Sequence, residues 1–251
     1  AMGHNSCRYI ATVSEAMKIA TVDKDRHLGD PDFMDIPLDQ LTSKAYSADR
    51  ADEIRRGIKA TVPRMNIGDQ ESRDTTHISV ADAHGNCVAL THSLGMPSGV
   101  VTDGLGFMYN GCMAVFDPRP GNPGSIVPGK ARFSAMCPTI IFKDDKPFLI
   151  IGAPGGTYIT MGVLQAILNV IDFGMTAQQA VAAPRFCTTS DVIDITNRIL
   201  RSAERDLVAM GYEVRRNARS YNFAGVHAVR NVGGNWDGGA DPARDGMAIK
   251  I

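Results

Sequence analysis

The sequence predicts a layered α+β fold, and three observations carry that prediction. Apolar residues recur at three- and four-residue spacing early in the chain (Tyr9, Val13, Met17, Ala20) and again over 199–211, as amphipathic helices require. Two-residue alternation over 76–82 and 87–93, and again over 138–143 and 147–152, places strands in consecutive pairs around short polar turns. Strands that come in pairs, with helices grouped between the pairs, argue against a doubly wound parallel sheet.

Each element has a local reason. The first helix covers 8–24 and is followed by a turn-rich break from Leu28 to Pro37, where Asp30, Asp32 and Asp35 alternate with prolines. Thr42 or Ser43 caps a second helix reaching about Arg56, with Ile54 and the alanines facing inward. Residues 59–74 mix Pro, Gly, Asn, Gln and alternating charges, the composition of a flexible linker suited to local opening and cleavage. A hairpin then turns at Ala83-His84-Gly85-Asn86, and the Gly- and Pro-rich stretch 94–132 reads as long loops with short strands. A second hairpin crosses Asp144-Asp145. A buried helix over 160–173 ends at Gly174, and another starts at 176–183. The helix at 199–211 leads into a strand at 212–215, and the last strands fall at 225–232 and 247–251. No internal repeat or low-complexity tract is present.

Composition bounds the function. A chain of 251 residues, 44% hydrophobic and with a net charge of −1, describes a soluble globular protein that buries a core of ordinary size. Its basic residues are dispersed, which excludes a nucleic-acid surface; the densest group, Arg215, Arg216 and Arg219, reads as a solvated face. No apolar run reaches the length of a membrane span, and no signal-peptide pattern opens the chain. The first residues look like mid-protein sequence, so the compartment stays open between cytoplasm and periplasm. Cys7, Cys87, Cys112, Cys137 and Cys187 show neither CxxC nor Cys/His ligand spacing. They read as buried free thiols, which lean towards a reducing compartment, and no metal or cofactor is expected.

The chemistry centres on Thr75. The run Thr75-Thr76-His77-Ile78-Ser79-Val80 opens a strand directly after the polar linker. Breaking the Asp74–Thr75 bond gives Thr75 a free α-amine beside its own hydroxyl. An α-amine titrates near about 7.7–8.0, so a useful fraction is neutral at cell pH and serves as a base. One residue then supplies both nucleophile and base.

Several ordered pieces resemble one family. They are the Thr75–Val80 run, Ser134-Ala135-Met136-Cys137-Pro138-Thr139-Ile140, Pro154-Gly155-Gly156, Ala183-Pro184-Arg185-Phe186 and Gly239-Ala240-Asp241-Pro242. Together they resemble the small subunit of gamma-glutamyltranspeptidase and its acylase relatives, which are N-terminal-nucleophile hydrolases. Upstream, Leu28-Gly29-Asp30-Pro31-Asp32-Phe33 is similar to the end of that family's large subunit. The resemblance implies a four-layer αββα sandwich, here without the front of the large subunit. It also implies self-cleavage at Asp74–Thr75 and a heterodimer derived from one chain, with 1–74 in the large subunit and 75–251 as the small one. Thr75 would attack a γ-glutamyl or related acyl amide, form an acyl-enzyme, and pass the acyl group to water or an amine. By the same resemblance Ser93 positions Thr75, Gly155 and Gly156 form the oxyanion hole, and Ser134 contacts the substrate carboxylate. A further arginine for that carboxylate comes from the front of the large subunit.

The chain departs from the family at the substrate pocket. Ala135 stands where the transpeptidases carry a second serine. Cys112 and Val115 replace polar and acidic residues that hold the substrate α-amine, and Gly95 replaces a polar amide. An ammonium left unpaired in a pocket costs several kcal/mol, which Val115 cannot relieve; Asp117, two positions on, is a substitute only if its loop shifts. These changes suit an acyl group without a free α-amine, as in the acylase branch. A non-catalytic scaffold is the competing reading. A serine hydrolase built on Ser134 fails for want of Gly-x-Ser-x-Gly. The run Gly124–Lys130 has phosphate-loop spacing, but Ala131 replaces the magnesium-binding hydroxyl and no strand precedes it. His77 and His92 lack a third ligand at useful spacing and read as satisfied strand histidines.

Overall fold

The computed structural model describes residues 2–63 and 74–250, so most of the linker expected over 59–74 lies outside the described residues. Helix α1 (Cys7–His27) starts where the Ser6 hydroxyl accepts the Tyr9 amide, and it carries Lys24, Arg26 and His27 at its negative end. Tyr9, Val13 and Met17 are buried, while Ala20 is exposed and Thr21 continues the stripe. A single turn, α2 (Leu38–Leu41), leads to α3 (Lys44–Arg55), capped by Ser43 at 3.0 Å from the Tyr46 amide. The inward face expected for Ile54 and the alanines does not exist, because α3 buries no residue. Its charged sequence offers no apolar stripe, and it rests on α1 through the Tyr46 hydroxyl, which donates to Asp23 at 2.7 Å.

Strands β1 (Thr75–Ala81) and β2 (Cys87–Ser93) form the first hairpin, pairing Thr75 with Ser93 at its open end and Ala81 with Cys87 at the turn. Thr75, His77 and Ser79 face inward with Thr91 and Ser93, whereas Ile78, Val80, Val88 and Leu90 are exposed on the outer face. The loop region holds a small pair, β3 (Pro97–Val101) and β4 (Met108–Asn110), and a 3-10 turn at Cys112–Val115. Next come β5 (Thr139–Lys143) and β6 (Lys146–Gly152), joined as predicted across Asp144 and Asp145. Both aspartates have positive φ (51° and 57°), the geometry of a type I′ hairpin turn.

Helices α4 (Ile159–Ile171) and α5 (Ala177–Ala182) follow, the latter opened by a Thr176/Gln179 capping box. Short strands β7 (Phe186–Cys187), β8 (Ile193–Ile195) and β9 (Val214–Arg216) form a three-stranded sheet around α6 (Arg201–Ala209). Of the arginines near β9, Arg215 and Arg219 are exposed as expected, whereas Arg216 pairs with Glu204 and donates to the Asn197 and Ile199 carbonyls, both at 2.8 Å. Finally β10 (His227–Val232) and β11 (Asn235–Ala240) join across Gly233-Gly234 and complete a four-stranded sheet in the order β11-β10-β6-β5. The strand expected at 247–251 is absent among the described residues, which run there without pairing. Strand β10 pairs instead with β11, whose Gly239 fits because a Cβ there would lie 2.5 Å from the Ala177 backbone.

The β1–β2 hairpin packs face to face on this sheet, and α4 and α5 cover the sheet's other side. Leu149 and Ile151 of β6 are fully buried in the core shared with α1 and α4. The result is a partial αββα sandwich: one helical layer and two sheet layers, with the hairpin's outer face uncovered among the described residues. No disulfide joins the five cysteines, and only Cys187 is fully buried.

Candidate active site

Thr75 reaches the end of β1 with its hydroxyl 2.7 Å from that of Ser93, its cross-strand partner. Ser93 Oγ also accepts the Gly95 amide at 2.8 Å, so one oxygen ties the strand end to the loop beyond it. The carbonyl of Asp74, in the bond expected to be cut, accepts the Leu94 amide at 3.1 Å.

Around Thr75 lies a cavity of about 110 Å³ lined by Ser93, Gly95, Val115, Ser134, Ala135 and Gly156, among others. Residues more than 80 positions apart in sequence thus meet at one point, as the motifs required. Cys112 stands behind Gly95: a Cβ on Gly95 would lie 2.8 Å from its sulfur. Gly155 stands behind Gly156 and makes the turn between β6 and α4. Its φ of 141° is open only to glycine, and a Cβ there would lie 2.6 Å from the Ala224 backbone. Gly156 follows with φ 59°. Asp117 does not enter the cavity. Arg119 and Asn122 hold its carboxylate within its own turn, and the Arg119 hydrogen bonds press its pKa well below the usual range.

A chain of contacts fixes the turn from behind. Phe223 and Ala224 both adopt positive φ (66° and 74°), a strained state for non-glycine residues. The buried Arg185 side chain holds them there, donating to the Asn222 carbonyl at 3.3 Å and the Ala224 carbonyl at 2.8 Å. Asp241 pairs with Arg185 and accepts the Val226 amide at 3.1 Å. The Ala-Pro-Arg and Gly-Ala-Asp motifs therefore meet each other, and through Ala224 they press on Gly155.

His77 is buried between the hairpin and the four-stranded sheet, with its ring where a Cβ on Gly152 would sit. Its Nδ1 lies 2.8 Å from Thr91 Oγ1 and its Nε2 lies 2.9 Å from Ser79 Oγ. Burial pushes its pKa down to about 4, with nearby His227 adding to the effect. Both partners are hydroxyls that donate or accept, so neutral imidazole is satisfied in either tautomer. His92 faces outward from the opposite side of the hairpin and cannot share a ligand with His77. The phosphate-loop decoy is indeed loop, with Lys130 spent on the Pro123 carbonyl at 2.7 Å.

Several groups at or behind the cavity carry no signal in the sequence. Arg132 and Thr157 line it. Asp30 accepts the Ala131 amide at 2.6 Å and the Asp32 amide at 3.0 Å, which lowers its pKa and clamps the upstream turn onto the cavity wall. The turn signal around Asp30 was visible; its partner 101 residues away was not.

Two sheets packed face to face, with a threonine at the start of an inner strand and a glycine turn beside it, define the fold of the N-terminal-nucleophile hydrolases. The gamma-glutamyltranspeptidase family pattern matches residues 1–251, and the chain belongs to that family. It is 36% identical over 254 residues to the acylase ACY 1 proenzyme of Pseudomonas sp. (strain V22), covering 100% of this chain and 45% of that protein. It is 33% identical over 264 residues to the glutathione hydrolase proenzyme of Pseudomonas aeruginosa, covering 98% of this chain and 47% of that protein. The chain thus spans about half the length of the curated relatives it matches. Among solved structures, the cephalosporin acylase of Bacillus halodurans aligns at TM-score 0.80 and 25% identity over 98% of this chain and 49% of that one. The gamma-glutamyltranspeptidase of Pseudomonas nitroreducens complexed with L-DON aligns at TM-score 0.63 and 32% identity, covering 70% and 99%.

Proposed function

We propose that the chain is the self-cleaving core of an amidohydrolase/acyltransferase that uses Thr75 as its nucleophile. The observation that carries this reading is the pairing of the Thr75 hydroxyl with Ser93 beside an Asp74 carbonyl already held by the Leu94 amide. In the first step Thr75 Oγ1 adds to the Asp74 carbonyl carbon while Leu94 N–H steadies the developing oxyanion. The hydroxyl proton passes to the departing Thr75 nitrogen, leaving an ester, which water cleaves to an Asp74 carboxylate and a free Thr75 amine. That amine then serves as base for the same hydroxyl against a γ-glutamyl or related acyl amide. Gly155 and Gly156 shape the turn that stabilises the substrate's oxyanion, and water or an amine takes the acyl group from Thr75.

In this reading 1–74 and 75–251 become two subunits that stay associated. Supporting contacts are Asp30 on Ala131, the Val62 amide on Asp191 at 2.8 Å, and Asn5 on the Pro184 carbonyl at 2.9 Å. The test is intact mass under denaturing conditions beside a Thr75→Ala variant. Two pieces split at 74–75 in the wild type and one in the variant are expected. One uncut chain in both, without turnover, favours the non-catalytic scaffold instead.

A second reading narrows the acyl group to one without an α-amine. It is favoured by Val115 in the cavity, Cys112 behind it, and an Asp117 tied up elsewhere. Similarity to acylases along the whole chain supports it. Glutaryl anilide should then outrun γ-glutamyl anilide on the parent enzyme, and a strong γ-glutamyl preference refutes it.

A further inference from the structure

The turn at Gly111 and Cys112 stands behind the cavity wall, and the reaction proposed above gives it no task. It grips one peptide unit. The Leu94 carbonyl accepts the Gly111 amide at 3.1 Å, the Met96 amide at 2.8 Å and the Cys112 thiol at 3.5 Å. A peptide unit is planar, so holding that oxygen also fixes where the Gly95 N–H on its opposite edge points. It points at Ser93 Oγ, 2.8 Å away, and the same hydroxyl lies 2.7 Å from Thr75 Oγ1. A serine side chain has three staggered rotamers, and the Gly95 N–H selects the one that meets the nucleophile.

Two features make this grip close. Cys112 Sγ fills the space beneath Gly95, where a Cβ would lie 2.8 Å from the sulfur, so the peptide cannot tip that way. Gly111 brings its amide near because it lacks a side chain: a Cβ there would lie 2.7 Å from the Met96 carbonyl oxygen. Its φ of −100° suits any residue, so the close approach and not the backbone conformation calls for glycine. The turn is itself held by Asn110, whose Oδ1 accepts the Cys112 amide at 3.1 Å. We infer that the Gly111–Cys112 turn positions the nucleophile: it acts through the Leu94–Gly95 peptide on Ser93, and through Ser93 on Thr75. The inference rests on the Thr75 reading and adds to it a turn that works without touching the reacting atoms.

The test is Gly111→Ala in the full-length protein, alone and combined with Ser93→Ala, with thermal melts to show that each is folded. Intact mass followed over time gives the rate of cleavage at 74–75, and anilide hydrolysis gives kcat and KM. Gly111→Ala should slow cleavage and lower kcat by at least about tenfold, a scale that small misplacements of reacting groups reach, while KM stays within about twofold. In the Ser93→Ala background the same change should cost less than about twofold, because the path it acts through is gone. An equal loss in both backgrounds, or unchanged rates in Gly111→Ala alone, overturns the inference. Hydrogen exchange at the Gly95 amide needs no chemistry and decides the matter where Ser93→Ala is itself inert. It should quicken about tenfold in Gly111→Ala while the β1–β2 amides keep their protection. Should Gly111→Ala not fold, Cys112→Ala, which adds no volume, should quicken the same amide about threefold. Unchanged Gly95 exchange in the folded variant overturns the inference, whereas an uncut wild-type chain sinks the Thr75 reading instead.

Discussion

Acidification from about pH 7 to about pH 4 acts on His77, whose surroundings leave no room for an added charge. The ring is 6% exposed, bonded on both nitrogens to hydroxyls, and lies within 2.8 Å of any Cβ placed on Gly152. Its pKa falls from 6.5 to about 4, with burial the larger cause and His227 the smaller. Between those values the unfolded chain binds a proton that the folded chain refuses, so stability drops as pH falls through the window and is restored above it. The gap is about 2.5 pH units, and at about 1.36 kcal/mol per unit it amounts to an upper bound of about 3 kcal/mol, fully lost below pH 4. Urea unfolding followed by circular dichroism at several pH values, on wild type and His77→Gln, reads this directly. The variant should be less stable than wild type near neutrality by about 1–3 kcal/mol, for its lost hydrogen bonds, yet show a correspondingly shallower decline with acid. Parallel curves for the two proteins would refute the argument, because the acid sensitivity would then belong to other groups, His227 first among them.

Two further outcomes follow from the turn behind the cavity. Gly155→Ala should lower stability by about 2 kcal/mol or more and block both cleavage and turnover, because its φ of 141° and its contact with Ala224 exclude a Cβ. Mass spectrometry and a thermal melt check it, and a processed, active variant would show that the turn is not needed. Asp241→Asn should cost about 3–5 kcal/mol by leaving the buried Arg185 unpaired. Denaturant unfolding measures this, and a loss under about 1 kcal/mol would mean that the pair does not hold the 222–226 segment.

The parts of the fold that were legible in sequence are those set by local chemistry. Ser43 and Thr176 announced helix starts, Asp144-Asp145 announced a hairpin, and the alternation after Thr75 gave the first strand pair, β2 with its exact ends and β1 one residue late at each end. What failed depended on distant neighbours. Strand β11 is rich in glycine, so its sequence lacks strand propensity and is explained only by α5 lying against Gly239. The Gly233-Gly234 turn signal was present, but without a credible second strand it went unread. Strands β7 and β8 are two and three residues long, too short for alternation to register. At the site, ordered motifs identified Thr75, Ser93, Gly156 and Ser134 as neighbours. Arg132 belongs to no motif, and a single cation between a loop and an apolar run carries no signal until the cavity is seen.

The placement of Thr75 is decided far from Thr75. At the other end of the hairpin Asp82 accepts the His84 and Asn86 amides, both at 2.8 Å, and the Asn86 side chain at 2.7 Å, while Gly85 supplies a φ of 87°. That knot sets the phase of the two strands, and about seven residues at about 3.3 Å each carry it roughly 20 Å to the cavity. Side chains alternate along a strand, so a slip of one step would exchange Ser93 for His92 or Leu94 opposite Thr75. Neither is a hydroxyl, and the Gly95 amide would lose its acceptor in the same movement. A surface loop remote from the cavity thus acts as a timing mark for Thr75, and changes there would silence the proposed chemistry without touching the pocket.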